Sequence, residues 1–375
     1  MVITLTYDKI NLVREGHPSY SYKRFNAKEV ILEFNDLKRS FHLKVLFCSI
    51  FLLASIGLSL SVGRYSVSLT DVKELGVYLL NRGQGMSLPA FVRVVWKIRL
   101  PRIVANIFVG MALAISGTVY QALFDNPMAS PNVLGVSSGA SFGAALALLL
   151  YANHLQVIGS SFIFGLICVA LTYMVSRFLK FDPTLSLILS GMVISSTFQA
   201  GVSYLKLIAD ENNRLPAITY WMLGSFSSVT WHKLLPLIPA FILGLVLIFY
   251  YRSSLNILSL GQDKAQSVGL NVRYVRSILI FAATLLTTSS VALTGMIGWV
   301  GLVIPHIVRI IIGSNYRNLI SLMFFVGAIF MILIDTVART FTATEIPIGI
   351  LTALMGAPVY LILLLKGENF HDFKR

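Results

Sequence analysis

An all-α membrane protein of about ten transmembrane helices is the fold class that this 375-residue sequence predicts, and three observations predict it. Hydrophobic residues make up 56% of the chain and charged residues only 12%, against about 25% charged in soluble domains. Mean hydropathy is +0.78. Apolar runs about as long as a bilayer core is thick recur along the chain, and inside lipid such a run satisfies its own backbone polar groups only as a helix.

The runs fall at Leu43–Val62, Ile103–Leu123, Val133–Tyr151, Ile158–Leu179, Leu185–Leu205, Leu234–Tyr251, Ile278–Leu293, Gly298–Ile312, Leu319–Ile334 and Ile348–Leu365. The eighth is short and interrupted by Pro305. Ahead of the first run, residues 1–40 carry scattered basic and polar residues with no apolar core, which reads as a retained tail of little fixed structure rather than a cleavable signal. The second run opens behind Arg99 and Arg102 and holds GMALAISG (110–117). A polar turn with two prolines, DNPMASPN, leads into the third, GVSSGASFGAA (135–145), and LSGMVISS (189–196) marks the fifth. Small residues at these places let helix backbones approach closely.

On the fifth run Ser195, Ser196, Gln199 and Ser203 recur at helical spacing. That stripe serves either a translocation pathway or hydrogen bonds between helices. Between the sixth and seventh runs, residues 253–276 form an amphipathic connector punctuated by Gly261 and Gly269, with Leu258, Ala265, Val268 and Leu270 as its apolar side. It suits either an interfacial helix lying on lipid or a docking surface for a soluble partner. Asp335 and Arg339, at the end of the ninth run, have the i, i+4 spacing of an ion pair.

An even number of runs puts both termini on one side. With the amino terminus inside, nineteen basic residues fall on inner segments and eleven on outer ones, which favours cytoplasmic termini. Seven of the eleven lie between Arg64 and Arg102, against the trend. The net charge of +14 is dispersed among loops, so lipid-facing and topogenic charges explain it better than nucleic acid does. Cys48 and Cys168 both sit in apolar runs and read as small hydrophobes. There is no GxxxxGK[ST] phosphate loop, no metal-ligand spacing among the six histidines, and no HExxH or GxSxG motif. Any ATP-driven work has to be supplied by another chain.

Several blocks then carry a resemblance: RLPR (99–102), GMALAISG with YQALFDNPMASPNVLGVSSGA (120–140), YWMLGSF (220–226), LGQDKAQSVGLNV (260–272), TGMIGWVGLVIPHIVR (294–309) and DTVARTFTATEIPIGILTALMGAPVYLILL (335–364). In this order the chain resembles the permease subunits of type II ATP-binding-cassette importers for iron-siderophore, haem and cobalamin complexes, the FecCD-like transport-system permeases. The resemblance implies the type II permease fold over residues 41–366, with a cytoplasmic extension at 1–40 and a cytoplasmic tail at 367–375. It implies a multi-pass protein of the bacterial cytoplasmic membrane that works with a second permease copy or paralogue, two ATPase subunits and an extracytoplasmic substrate-binding protein. No cofactor is expected on this chain, ATP and Mg being used by the ATPase subunits.

By the same resemblance Arg99, Arg102 and Arg339 map onto the arginines that meet carboxylates of the binding protein. Leu260, Gly261, Asp263, Ala265, Gly269 and Leu270 map onto the segment that couples to the ATPase, with the glycines at its turns. Pro183 and Thr184 fall in the turn that corresponds to a cytoplasmic gate. The competing expectation is a secondary transporter or channel that works without ATP.

Overall fold

A computed structural model describes residues 27–63, 90–342 and 344–366, together with residues 73 and 77. Each of the ten expected runs is a helix, and no strand occurs among the described residues. Helix α1 covers Ala27–Ser61. A short α2, Ala90–Val94, passes through one π-helical turn, Val95–Arg99, into α3, Leu100–Leu123, with no break in direction. A 3₁₀ turn at Pro131–Leu134 precedes α4, Val136–Leu149. Then follow α5, His154–Ser176; α6, Pro183–Leu207; α7, Arg214–Met222; and the short α8, Trp231–Leu234, which runs on into α9, Ile238–Leu258. The rest of the described chain is α10, Gln262–Ser267; α11, Val272–Thr294; α12, Val300–Ile312; α13, Tyr316–Thr340; and α14, Ile348–Lys366.

Side-chain caps start several of these helices where the sequence turns. Asn153 and Gln156 form a reciprocal capping box on α5, Asp182 accepts from the Thr184 and Leu185 amides at the head of α6, and Asn271 accepts from the Tyr274 amide of α11. Seven of the described segments are long and apolar enough to cross a membrane, and Val136–Leu149, Val300–Ile312 and Ile348–Ile362 are shorter apolar helices. At 13 residues, α12 reaches about 20 Å, well short of the roughly 30 Å hydrocarbon core. The irregular stretch before it is seated inside protein, where Ser225 donates its amide to the Thr294 carbonyl, and non-helical backbone at such depth is tolerated only when protein covers it.

α3 is the hub. It packs on α13, α11 and α12, and nearly all of it is buried. The small residues of 110–117 make this possible: a Cβ on Gly110 would lie 2.2 Å from the Gly327 carbonyl oxygen of α13, and one on Gly327 would lie 2.4 Å from that of Gly110. The two backbones touch. Gly135 starts α4 with φ at +82°, and a Cβ there would run into Ser195 Oγ at 2.5 Å and Cys168 Sγ at 2.8 Å. That left-handed residue is what shortens the third expected run, by turning the chain out of the 3₁₀ segment before the α-helix begins.

Two expectations are corrected here. The amino-terminal tail does not lack structure through residue 40, because α1 begins at Ala27 and runs straight into the first apolar run; residues 1–26 and 367–375 lie outside the described residues. Asp335 does not take Arg339 as its partner, because the guanidinium of Arg102, 233 residues away in sequence, occupies both of its oxygens.

Candidate functional sites at the two ends of the bundle

At one end, α1, α3 and α13 converge on an ionic cluster. Arg102 Nε reaches Asp335 Oδ2 at 2.9 Å and Oδ1 at 3.1 Å, and its Nη2 reaches Oδ1 at 2.9 Å. The other edge of the same guanidinium holds Glu345, with Nη1 to Oε1 at 3.1 Å and Nη2 to Oε2 at 3.0 Å. Asn106 donates to Asp335 Oδ2 at 2.9 Å. Asp335 is fully buried, and these bonds satisfy both of its oxygens.

Arg99 and Arg339 bind differently. Arg99 Nη1 donates to the Leu60 carbonyl and Arg339 Nη2 to the Ser59 carbonyl and, at 2.9 Å, to Ser59 Oγ. Those carbonyls belong to the last turn of α1, which has no intrahelical partner for them and whose dipole favours a cation. The structure thus gathers all three sequence-predicted arginines at one end and buries each of them. Arg102 departs from a freely presented guanidinium: its whole fork is taken up by Asp335 and Glu345.

Asp210, in the loop between α6 and α7, accepts from the amides of Asn212, Asn213 and Arg214. The Asn212 amide foremost, with its neighbours, holds this exposed carboxyl below its ordinary range.

The opposite end carries the predicted coupling segment. Gly261 and Gly269 have φ of +101° and +83°, so the two expected turn positions do bound the short α10, with Asp263 in its first turn. Ala265 is buried on its inner side. Leu260 and Val268 point outward, 56% and 67% exposed, so Val268 is not part of the inward apolar side while Leu258 and Leu270 pack on the core.

Pro183 and Thr184, the expected gate residues, form the first turn of α6 on the Asp182 cap. Between this turn, α10 and the start of α11 lies a cavity of about 540 Å³. Pro183 lines it, and so do Arg177, Arg273 and Arg276. In the sequence these three arginines count only as inward-facing charges. Their convergence follows from α5 ending where α11 begins, marked by the 2.7 Å bond between Tyr173 and Ser277 hydroxyls, and no local pattern announces it.

The polar stripe on α6 divides. Gln199 Nε2 donates to Ser138 Oγ at 3.2 Å, an interhelical bond. Ser196 and Ser203 bond only their own helix, to the carbonyls of Met192 and Gln199, and both lie on an exposed face together with Thr197. Ser195 is turned inward, against Gly135. Among the described residues, His, Cys, Asp and Glu side chains nowhere gather in a group of three or more that could hold a metal ion.

Known proteins share this arrangement. A model of the FecCD transport family matches residues 51–366. The chain is 38% identical over 325 residues to the molybdate import system permease protein MolB of Haemophilus influenzae, covering 86% of this chain and 96% of that one. It is 37% identical over 333 residues to the vitamin B12 import system permease protein BtuC of Shigella boydii, covering 86% and 94%. Among solved structures, an inward-facing metal-chelate type ABC transporter superposes with a TM-score of 0.78 at 37% identity, over 86% of this chain and 98% of the other. The ten-helix arrangement is that of a type II ABC importer permease.

Proposed function

Because the chain belongs to the FecCD transport family and is a membrane-embedded ABC permease, we propose that it translocates an iron-siderophore complex, or one of the haem or cobalamin type, across a bacterial cytoplasmic membrane. Residues 41–366 form the permease domain, with the 1–40 extension, the 367–375 tail and both termini on the cytoplasmic side. Two ATPase subunits, which bind ATP and Mg, drive alternating access from that side, and this chain holds no cofactor of its own.

The observation that carries the reading is α10. A six-residue helix set off by two positive-φ glycines, with Ala265 buried on its inner side and Leu260 and Val268 exposed at its ends, is built to be gripped by a partner. The exposed Ser196, Thr197 and Ser203 face of α6 supports a second permease copy or paralogue, because lipid offers such hydroxyls no partner beyond their own helix. The substrate-binding protein docks at the arginine end. There Arg99 and Arg339 supply positive potential, while Arg102 sets the shape of the surface through Asp335 and Glu345.

The test is uptake by the chain reconstituted with its ATPase subunits and binding protein, using labelled ferric siderophore, haem, cobalamin and molybdate in parallel. Nucleotide-dependent accumulation of one complex is expected, and exchange of Leu260 and Val268 for Asp abolishes it. Accumulation by the chain alone under an ion gradient would overturn the reading in favour of a secondary transporter.

A further inference from the structure

We propose that the 540 Å³ cavity beside α10 binds a phosphate-type oxyanion, supplied by the headgroup of an anionic phospholipid. The argument starts from charge. Arg177, Arg273 and Arg276 all line the cavity, and none is within ion-pair distance of a carboxylate, the ion pairs of the described residues being those of Arg102. Asp182 is the carboxylate near Arg276, and its oxygen already accepts the Thr184 and Leu185 amides. Three guanidinium groups around one space, against the one carboxylate near them among the described residues, leave an excess of positive charge that an anion would neutralise.

The Arg276 guanidinium is placed by the Gln262 side chain, whose amide, turned so that its oxygen faces Arg276, accepts from Nη2 at 3.1 Å and from Nη1 at 3.3 Å. Arg177 is held over the Tyr173 ring at 4.9 Å, which fixes the place of its guanidinium. Gln262 and Gln266 add amide groups to the wall.

The remaining wall points to lipid. Phe181, Leu179, Leu187 and Val272 line the same cavity, and Phe178 and Phe181 stand 76% and 59% exposed where α5 leaves its apolar run. A lone phosphate satisfies only the arginine side. A headgroup with its glycerol and the first part of an acyl chain satisfies both, and basic pockets between transmembrane helices at the cytoplasmic surface are where such headgroups bind. The volume is in the roughly 300–1,000 Å³ range of small-molecule sites. Once seated, the anion would tie the α6 turn to α10 and α11. The proposal rests on the functional reading only for which leaflet supplies the lipid.

The experiment uses the purified full-length chain in neutral detergent and needs neither ATPase nor cargo, so its failure is separable from failure of the transport reading. Retained phospholipid is counted by native mass spectrometry, and the unfolding midpoint is followed with added phosphatidylglycerol, phosphatidylethanolamine or inorganic phosphate. Phosphatidylglycerol is expected to stay bound and raise the midpoint. Arg273→Gln with Arg276→Gln weakens its apparent Kd about tenfold or more, while Arg252→Gln, whose partner is Ser321, leaves it unchanged. Should the double variant not fold, Arg273→Gln alone, at an exposed position, gives the same reading with a smaller loss. A shift reproduced by inorganic phosphate alone overturns the lipid source and keeps the oxyanion site. Equal binding of the two phospholipids, or equal binding by wild type and variants, overturns the proposal.

Discussion

The two ends of the bundle use the same side chain in opposite ways. At one end Arg99, Arg102 and Arg339 are buried and committed: to the carbonyls that close α1, and to the carboxylates of α13 and the loop after it. At the other, Arg177, Arg273 and Arg276 line a cavity and have no ion-pair partner among the described residues. The difference teaches that guanidinium count says little about a surface. What matters is whether the chain itself supplies the acceptors: where carbonyls and carboxylates of other helices take up the guanidinium, arginine holds helices together, and where they do not, it is left for something else.

Substitution at the committed end should cost most. Arg102→Met strands the fully buried Asp335 and is expected to destabilise the protein by about 3–5 kcal/mol, read as a lowered unfolding midpoint in detergent. Adding Asp335→Leu removes the stranded charge and should recover most of that loss. If Arg102→Met proves neutral, the two ends do not differ as described.

At the cavity end the expected losses are smaller. Asp182→Ala removes the α6 cap and should cost about 1 kcal/mol, with faster amide exchange confined to Thr184 and Leu185. Arg273→Gln, measured in delipidated protein, should stay within about 0.5 kcal/mol of wild type; a larger loss would mean that this arginine is committed after all.

The smallest effect is one of pH. Because backbone amides hold the Asp210 carboxyl below its ordinary range, its contribution to the 210–214 turn is complete above that range and is lost as pH falls through the lowered value. Amide exchange at Asn212 and Asn213 should therefore rise on acidification, and Asp210→Asn should remove the pH dependence.

Much of this is legible in the sequence. Apolar run length locates every helix that crosses or partly crosses the bundle, Gly110 announces a close backbone approach, and Gly261 and Gly269 announce the turns around α10. Each is a local signal, set by one helix or one backbone angle. The errors share an opposite cause. Helical spacing pairs Asp335 with Arg339, four residues on, but α3 brings Arg102 to it from across the bundle, and spacing cannot foresee a competitor on another helix. Arg177, Arg273 and Arg276 are visible as residues, yet their meeting depends on how α5, α10 and α11 close on one another. The stripe on α6 reads as one surface, and the structure turns Ser195 inward, spends Gln199 on Ser138 and leaves Ser196 and Ser203 on the open face.

The contact between Gly110 and Gly327 has a mechanical consequence. Carbonyl oxygens stand 2.2 and 2.4 Å from where each glycine's Cβ would be, with Met331 and Ala114 side chains close alongside, so α3 and α13 have no room between them here. The separation of α3 and α13 at this point is therefore set by the two glycines, and a side chain on either one would force the helices apart.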